Sequence, residues 1–489
     1  MRRFARFAAA LCLAAPLAGC AIGPNYTRPE VADPAEYRGQ VGPAEAASLA
    51  DLPWWEIFSD PALGELISEA LESNYDLRQA AARVDQAQAL VGATRSEFFP
   101  QIDYDGGASR QQSALTSDPA AKSKFNVFFG VFTLAWEIDI WGRIRRGNEA
   151  ARAQLLGTED FRRGVLLTLV SQVAQAYFEL LELDSQLEIS RDSTQAFQET
   201  LDLFTRRFEG GVGSRLQTTR AEAALAQAAV TIPELESRIV AKENQLSVLL
   251  GRPPGPIPRG TVLVDQTFLP EIPTGLPSVL LERRPDIRQA EQSVVSANAL
   301  IGVSVANFFP RIGLTGLYGG ASTELSDLVK GGAEIWEYAA ELTGPLFRGG
   351  FLLEQYRARV SEWEEVKLGY EQTVINALAE VSNALTFQQK LVEQRAQRER
   401  EVRALSEALR LSLLRYKQGL AAYYEVLDAQ QQLFPAEQSL ARIVRDQLSA
   451  VVALYRTLGG GWQLGETWLP EAQTAAADGE SPEFQEAAP

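Results

Sequence analysis

The sequence contains no histidine, and its only cysteines are Cys12 and Cys20. Without histidine the chain cannot form a Ser-His or Cys-His nucleophile pair, and it lacks the commonest metal ligand. Both cysteines fall near the N-terminus, so no disulfide is expected in a mature chain that begins at Cys20. These absences argue against an enzyme, and we expect neither a metal site nor a cofactor.

The chain also lacks any run of eighteen or more apolar residues, so the sequence predicts no membrane-spanning helix in the mature protein. The absence of such a run does not exclude a membrane β-barrel, because each strand of a barrel needs only about ten residues. Basic residues are outnumbered by acidic ones, 46 against 63, which gives a formal net charge of −17. A strongly acidic surface disfavours nucleic acid and anionic lipid as partners, and it favours cations in any pore that it lines.

The N-terminal end has the pattern of an export signal. A basic head is followed by the short apolar stretch Phe7–Ala15 and then by Leu17-Ala18-Gly19-Cys20. This tetrad resembles the lipobox of bacterial lipoproteins, in which the cysteine becomes the acylated first residue. We therefore expect a signal peptide at 1–19, a covalent lipid on Cys20 and a lipidated segment at 20–61. An ordinary signal peptide with a chance cysteine is the alternative.

The rest of the chain is a duplication. Residues 75–100 and 285–310 share twelve of twenty-six positions, and both end in Phe-Phe-Pro. Arg207-Phe208 and Gly211 recur 208 residues later as Arg415-Tyr416 and Gly419. Fixed-period similarity of this kind indicates a repeated structural unit. We place the two repeats at 62–250 and 277–458, with a Pro/Gly-rich linker at 251–276 and a tail at 459–489.

Each repeat contains a β segment with one apolar face. Large apolar residues occupy the even positions of Phe132–Ile140, and Trp336, Tyr338 and Leu342 alternate with acids in the second copy. This period of two is typical of strands. Shorter strands are expected around Gln101–Ser109 and Arg311–Gly319, giving two strands per repeat and four per chain.

Long helices follow the strands. Apolar residues recur at heptad spacing from Leu166 to Phe208, at eleven of thirteen positions, and from Val374 to Tyr416 at nine of thirteen. A sustained heptad predicts a coiled coil. The first helix, about 148–208, would be roughly 90 Å long. Turns at Gly210-Gly211 and Gln418-Gly419 should send the chain back along a second helix.

Four strands cannot close a barrel, which needs about eight, and open edges in lipid would leave backbone groups unpaired. Several chains would therefore share one barrel, with eight strands from two chains or twelve from three. The alternative is a soluble sandwich beside a helical stalk.

The arrangement resembles the TolC family of outer-membrane efflux proteins, and within it the lipidated NodT/OprM-like branch. The resemblance covers nearly the whole mature chain. The motifs that carry it, besides the lipobox and both Phe-Phe-Pro ends, are Gly23–Pro29, Trp54–Pro61, Arg283–Ile287, Gly344–Phe347 and Val426–Gln430. It implies a mainly α fold with membrane β strands: a homotrimer with a twelve-stranded β-barrel in the outer membrane, continued by a twelve-helix coiled-coil α-barrel in the periplasm. The implied partners are a periplasmic adaptor and an inner-membrane pump, commonly proton-driven.

The resemblance also implies site residues. The helix-turn tips that touch the adaptor fall at Gly211, Gly213 and Gly419, and the acids of the periplasmic aperture fall at Glu425 and Asp428. We place Tyr416 and Arg220 at the same aperture, Arg220 from the internal repeat. The TolC pattern is broken nearby, since Ala421 replaces an arginine and Gln217 an aspartate. Arg220 is the repeat equivalent of Asp428, so the two could pair across neighbouring hairpins. A solvated helix face is the plainer interpretation of these charges.

The function expected from all this is the outer-membrane channel of a tripartite efflux system. A duct for type I protein secretion is the alternative within the family. A periplasmic adaptor lipoprotein is the alternative from another class, although adaptors carry one coiled-coil hairpin rather than a duplicated strand-helix unit.

Overall fold

The structure is a computed structural model that describes residues 21–31, 34–40, 48–53, 57–58, 60–112, 124–266, 275 and 277–460. The predicted signal peptide, Cys20 and the tail from residue 461 onward lie outside the described residues. The first copy contains α1 (Pro61–Ser73), α2 (Tyr75–Ser96), β1 (Gln101–Gln112), β2 (Lys124–Ile138), α3 (Arg143–Glu209), α4 (Arg215–Ala229) and α5 (Thr231–Leu249). The second contains α6 (Pro277–Arg283), α7 (Pro285–Ala306), β3 (Arg311–Ser322), β4 (Glu334–Thr343), α8 (Phe351–Lys417) and α9 (Tyr423–Thr457).

The chain divides into two compact units, which are described separately. The strand unit takes its described residues from 1–30, 82–159 and 289–372. The hairpin unit takes its described residues from 31–81, 160–288 and 373–489. Helices α2, α3, α7 and α8 contribute residues to both units.

In the strand unit, the four strands form one antiparallel sheet in the order β1-β2-β3-β4. Its register places Tyr104, Phe132, Tyr318 and Trp336 in one row across all four strands. Their side chains are between 60% and 85% exposed in the single chain. Neighbours along a strand point to opposite faces, so Asp103 and Glu337 belong to the other face. The row agrees with the apolar alternation predicted for Phe132–Ile140. The opposite face is not polar throughout, because the first half of β2 places Phe125, Val127, Phe129 and Val131 on it.

The strand ends differ from the sequence prediction. β2 begins at Lys124 instead of Phe132, because its residues 124–135 pair with the whole of β1, out to Gln112. The expectation that the first strand of each repeat is the shorter one is wrong for the second copy, where β3 has 12 residues and β4 has 10. Strand length is set by the pairing partner, which the alternation of side chains does not reveal.

In the hairpin unit, the apolar stripe of α3 forms the core. Val173, Leu180 and Phe204 on this stripe are fully or almost fully buried. Further down the hairpins, Leu183 and Leu187 pack with Leu235, Ile232 and Ile239 of α5. The first predicted heptad is thus confirmed. In α8 the equivalent stripe is buried at Val374, Ala377, Val381 and Leu391 and only half-buried towards Tyr416.

The return helix of the first hairpin is interrupted. The sequence predicted one continuous helix, but α4 ends at Ala229 and α5 begins at Thr231, with Pro233 in its first turn. Proline has no backbone N–H and fits best in the first turn of a helix, although α9 of the second copy carries Pro435 in its interior. Pro233 therefore starts a new helix segment at this point.

Helix α3 also has the composition of a membrane helix. Within the described residues it is the one helix with an eighteen-residue window of sufficient apolar character, at a mean hydropathy of 1.4. Of that window 61% is buried inside the structure, as is typical of a core helix. We therefore assign α3 to the packed helical core.

Each return helix ends against the start of the same repeat. Asn74 Nδ2 donates a hydrogen bond to the Leu249 carbonyl at 2.8 Å, and Arg284 Nη1 donates to the Thr457 carbonyl at 2.9 Å. Leu249 and Thr457 are repeat equivalents, so both copies satisfy a C-terminal helix carbonyl with a side chain from the α1–α2 or α6–α7 junction. The two copies keep the same geometry although amide and guanidinium differ.

A glycine after each return helix lets the chains approach closely. Gly251 has φ +69°, and an added Cβ would lie 2.4 Å from the Ser73 carbonyl oxygen. Gly459 has φ +75°, and its Cβ would lie 3.1 Å from the Arg283 carbonyl oxygen. These glycines are required both by the left-handed conformation and by the neighbouring backbone.

We expect Gly251→Ala to lower the stability of the hairpin unit more than Gly419→Ala. Both residues are left-handed, a conformation that costs an L-residue about 1–2 kcal/mol, but a Cβ on Gly419 would meet nothing within 4 Å. The measurement is the unfolding midpoint of the purified protein in detergent. Equal losses in the two variants would show that backbone conformation alone accounts for the effect.

Candidate functional site at the helix-turn tips

The first tip joins α3 to α4. The Val212 N–H donates to the Arg207 carbonyl at 2.9 Å, and the Gly211 N–H donates to the Phe208 carbonyl at 3.0 Å. With Gly211 at φ +75°, this is a Schellman turn. An added Cβ on Gly213 would lie 2.8 Å from the Phe208 nitrogen, so this second glycine allows the chain to turn back closely.

The second tip joins α8 to α9 with the same geometry. The Leu420 N–H donates to the Arg415 carbonyl at 2.9 Å, the Gly419 N–H donates to the Tyr416 carbonyl at 3.0 Å, and Gly419 has φ +73°. Gly211 and Gly419 therefore occupy the turn positions that the duplication predicts. Both tips are the same turn at the ends of two hairpins.

The return helices begin differently. Ser214 caps α4 in a capping box with Gln217, whose side chain accepts a hydrogen bond from the Ser214 N–H. This explains what Gln217 does at the position where the resemblance led us to expect an aspartate. At the equivalent place in the second hairpin, Ala422 offers no side-chain cap to α9. The first N–H groups of the second return helix therefore receive no hydrogen bond from a cap side chain.

An aromatic stack joins the two hairpins just below the tips. Tyr423 packs edge-on against Phe204 at 4.2 Å and against Tyr416 at 5.3 Å between ring centroids. The Tyr423 hydroxyl lies 2.9 Å from the Thr200 hydroxyl. Burial raises the pKa of Tyr423, so this hydroxyl keeps its proton. Helices α3, α8 and α9 are tied together at this level.

Arg207 adds a polar link between the hairpins. Its Nη1 donates a hydrogen bond to the Tyr416 hydroxyl, and its guanidinium lies 5.7 Å from the Tyr416 ring centroid. The repeat-equivalent Arg415 instead lies 3.7 Å from Glu425 of its own hairpin. Sequence reasoning aligned these two arginines but gave Arg207 no role, because its partner is 209 residues away on the other hairpin.

The predicted aperture charges are not all brought together. Asp428 accepts a hydrogen bond from Gln432 at 2.7 Å, and Glu425 is partly offset by Arg415. Arg220 is exposed, and no described residue forms an ion pair with it. Within one chain the structure therefore does not pair Arg220 with Asp428. Pairing across a subunit boundary stays a prediction.

Both tips expose apolar side chains. Val212 and Leu216 of the first tip are equivalent by repeat to Leu420 and Tyr424 of the second, and all four are between 60% and 72% exposed. We call these four residues the tip patch. Apolar groups on so small a turn have no core to enter in the single chain, and exposed apolar patches mark interaction sites.

We expect Ala422→Ser to stabilise the second hairpin. Ala422 has the extended conformation of a cap residue, and Glu425 stands at the third helical position, so serine would complete a capping box worth about 1 kcal/mol. Hydrogen–deuterium exchange of the first turn of α9 should slow. Ser214→Ala is the matched control and should speed exchange at the start of α4; unchanged exchange in both would contradict the assigned caps.

The comparisons with known proteins cover nearly the whole chain. The profile of the outer membrane efflux protein family matches residues 66–252 and 276–460. The probable efflux pump outer membrane protein TtgC of Pseudomonas putida KT2440 is 34% identical over 456 residues, which is 91% of this chain and 93% of that protein. The cation efflux system protein CusC of Escherichia coli O6:H1 is 32% identical over 455 residues, covering 92% and 98%.

The fold agrees with these relatives. The structure of the outer-membrane channel OprN superimposes with a TM-score of 0.85 at 28% identity, over 91% of this chain and 100% of that one. The predicted architecture of a TolC-like channel, mainly helical with a strand domain, is thereby confirmed. The chain belongs to the outer membrane efflux protein family, whose members are channels of the outer membrane and not enzymes.

Proposed function

We propose that this channel is the exit duct of a tripartite efflux system, which works as a homotrimer and passively conducts substrates from a periplasmic adaptor and an inner-membrane pump to the exterior. Outer-membrane efflux channels of this family form trimers and work with such adaptors and pumps. The observation that carries the proposal for this chain is the open edge on each side of its four-stranded sheet.

The open edges call for identical neighbours. β1 and β4 each pair with one strand only in the described part of the chain. In lipid each unpaired backbone group costs several kcal/mol, so the edges have to be paired by other chains. Three copies supply twelve strands in a closed ring, in which β4 of one subunit pairs with β1 of the next.

Exposed apolar side chains on α5 and α8 support the same assembly. α8 exposes Ile375, Phe387 and Leu414, and α5 exposes Val240 and Val248. Helices α5 and α8 thus carry apolar groups that the single chain does not cover. Lateral contact between α8 of one subunit and α4–α5 of the next would bury part of this apolar surface.

Lipid anchoring at Cys20 would place the acyl chains beside the membrane strands. The Ile22 N–H donates to the Trp141 carbonyl at 3.1 Å, directly after β2, and Arg146 Nη2 donates to Asn25 Oδ1 at 2.7 Å. An added Cβ on Gly142 would lie 2.7 Å from Ala21 Cα. Ala21, the residue that would follow the lipidated cysteine, is thus held at the junction of strand and helix.

The tip patch is the proposed contact with the adaptor, together with the turns at Gly211, Gly213 and Gly419. It is apolar, exposed and duplicated, so a trimer would present six similar tips. The pump beyond the adaptor is expected to be proton-driven, as the family resemblance implies. The names of TtgC and CusC favour efflux over protein secretion, and the family match sets the adaptor alternative aside.

The aperture is the proposed gate. Glu425 and Asp428 lie on the first turns of α9, directly after the second tip. Threefold symmetry would place six carboxylates around one axis, which should attract cations and repel anions. Arg220 of a neighbouring hairpin would offset Asp428 and help to hold the resting tip closed.

In planar bilayers we expect Asp428→Ala to raise single-channel conductance and to weaken cation preference. Glu425→Ala should change selectivity less, because Arg415 already offsets Glu425. Arg220→Ala should raise conductance while keeping or strengthening cation preference, and the double variant should give less than the sum of the two effects. Glu401→Ala, on the exposed surface of α8, is the control. If Arg220→Ala and Asp428→Ala both conduct like the unaltered protein, the charges form an ordinary solvated face.

The assembly and the anchor can be tested together by native mass spectrometry in detergent. We expect a trimer, and we expect each released subunit to begin at Cys20 and to carry the mass of acyl chains. A spectrum that contains monomers or dimers but no trimer would refute the shared barrel. A trimer of subunits with an unmodified N-terminus would refute the anchor and leave the barrel standing.

A further inference from the structure

A basic groove lies on the hairpin unit, away from the tips. It is a cavity of about 390 Å³ between α5 and α9, and α3 forms its floor. The charged residues that line it are Arg238 and Lys242 of α5, Arg442 and Arg445 of α9, and Glu179 and Glu182 of α3. Four cations thus face two carboxylates in a chain whose formal net charge is −17.

The two carboxylates use only part of the cationic charge. Lys242 Nζ lies 2.5 Å from Glu179, and Arg445 Nε lies 3.4 Å from Glu182 and 3.1 Å from Asp446 just outside the groove. Arg442 is 57% exposed and lies 3.9 Å from Glu182, at the limit of an ion pair. The Arg442 guanidinium therefore keeps most of its donors available.

Arg238 is exposed, and it forms no ion pair with any residue in the described part of the chain. It still acts on Glu182 through its charge. Burial raises the pKa of Glu182, and the charges of Arg445, Arg442 and Arg238 oppose that rise. Three arginines therefore act on one buried carboxylate, and two of them, Arg442 and Arg238, are exposed.

The groove faces away from Asp60 and from the linker residues Arg259 and Gly260. On α3, Tyr177 donates to Asp60 and accepts from the Gly260 N–H, and Asp184 accepts from Arg259 at 2.9 Å. Glu182 is turned by about 140–160° around the helix from Tyr177 and Asp184. The linker residues therefore cover one side of α3, and the groove opens on the opposite side.

The covered side is the outer side of the duct. Non-helical segments laid across the bore would obstruct conduction, whereas on the outside they do not. The opposite side of α3, with the basic groove, then lines the duct. This step rests on the proposed function of the chain as a conducting channel.

We propose that the basic groove is a binding station for small multivalent anions that carry phosphate or carboxylate groups. Planar guanidinium groups bind such groups through paired, charge-assisted hydrogen bonds. An acidic duct otherwise repels anions. A local cationic site would bind them strongly enough to draw them into the duct and, because it is exposed, weakly enough to release them. Threefold symmetry supplies three stations at one level.

The test uses the trimer in detergent with inorganic pyrophosphate as the probe, at low ionic strength because surface charges are screened by salt. Isothermal titration should show binding to the unaltered protein. The variant Arg238→Gln/Arg442→Gln should weaken it by about tenfold for each charge-assisted hydrogen bond that it removes. The matched control is Arg357→Gln/Arg410→Gln, which removes two exposed arginines of α8 and the same total charge, and it should bind within about twofold of the unaltered protein.

Conductance of the same proteins in planar bilayers separates this proposal from the proposed function. Pyrophosphate should partly block the unaltered channel and the control variant, and it should block the groove variant less. A channel that conducts but does not bind pyrophosphate, or binds it equally in both variants, overturns the anion station and leaves the channel function intact. Because the resting tip is proposed to be closed, the channel function is overturned only if the trimer carrying Asp428→Ala does not conduct either. The argument that the groove lines a duct then falls with it.

Discussion

The backbone of the two edge strands is the constraint on which the rest of the molecule depends. A four-stranded sheet in lipid has unpaired N–H and C=O groups along β1 and β4, and no side chain can satisfy a whole edge. Closing the ring with other copies removes both edges. The aromatic row through Tyr104 and Trp336 can then face lipid on all strands, while Asp103 and Glu337 face the interior.

The duplication keeps backbone geometry and lets side chains diverge. Gly211 and Gly419 make the same Schellman turn, and Asn74 and Arg284 satisfy equivalent helix ends with different groups. The differences collect at the tips. The first return helix is capped by Ser214 whereas the second is not, and the equivalent arginines bind a tyrosine in one case and a glutamate in the other. Two hairpins of one shape therefore have unequal local stability at their tips, and the uncapped helix is the one that carries Glu425 and Asp428.

Charge is distributed unevenly along the hairpins. Glu425 and Asp428 put negative charge on the first turns of α9, whereas the basic groove around Arg238 and Arg442 concentrates positive charge on one face of α3. A single net charge therefore describes the duct poorly. Selectivity is expected to vary along it, since fixed charges act over about a Debye length.

The sequence by itself determined the duplication, the four strands, the heptad stripe of α3 and the glycine turns, because each depends on a period or on a conformation that only nearby residues set. The same local signals did not define strand ends, which depend on the pairing partner, as β2 with β1 shows. They could not find the link of Arg207 to Tyr416 or the groove around Glu182, because those contacts join residues that are far apart in the chain. Tertiary structure decided which partner each of the repeat-equivalent arginines Arg207 and Arg415 contacts, because that depends on which helix faces pack against each other.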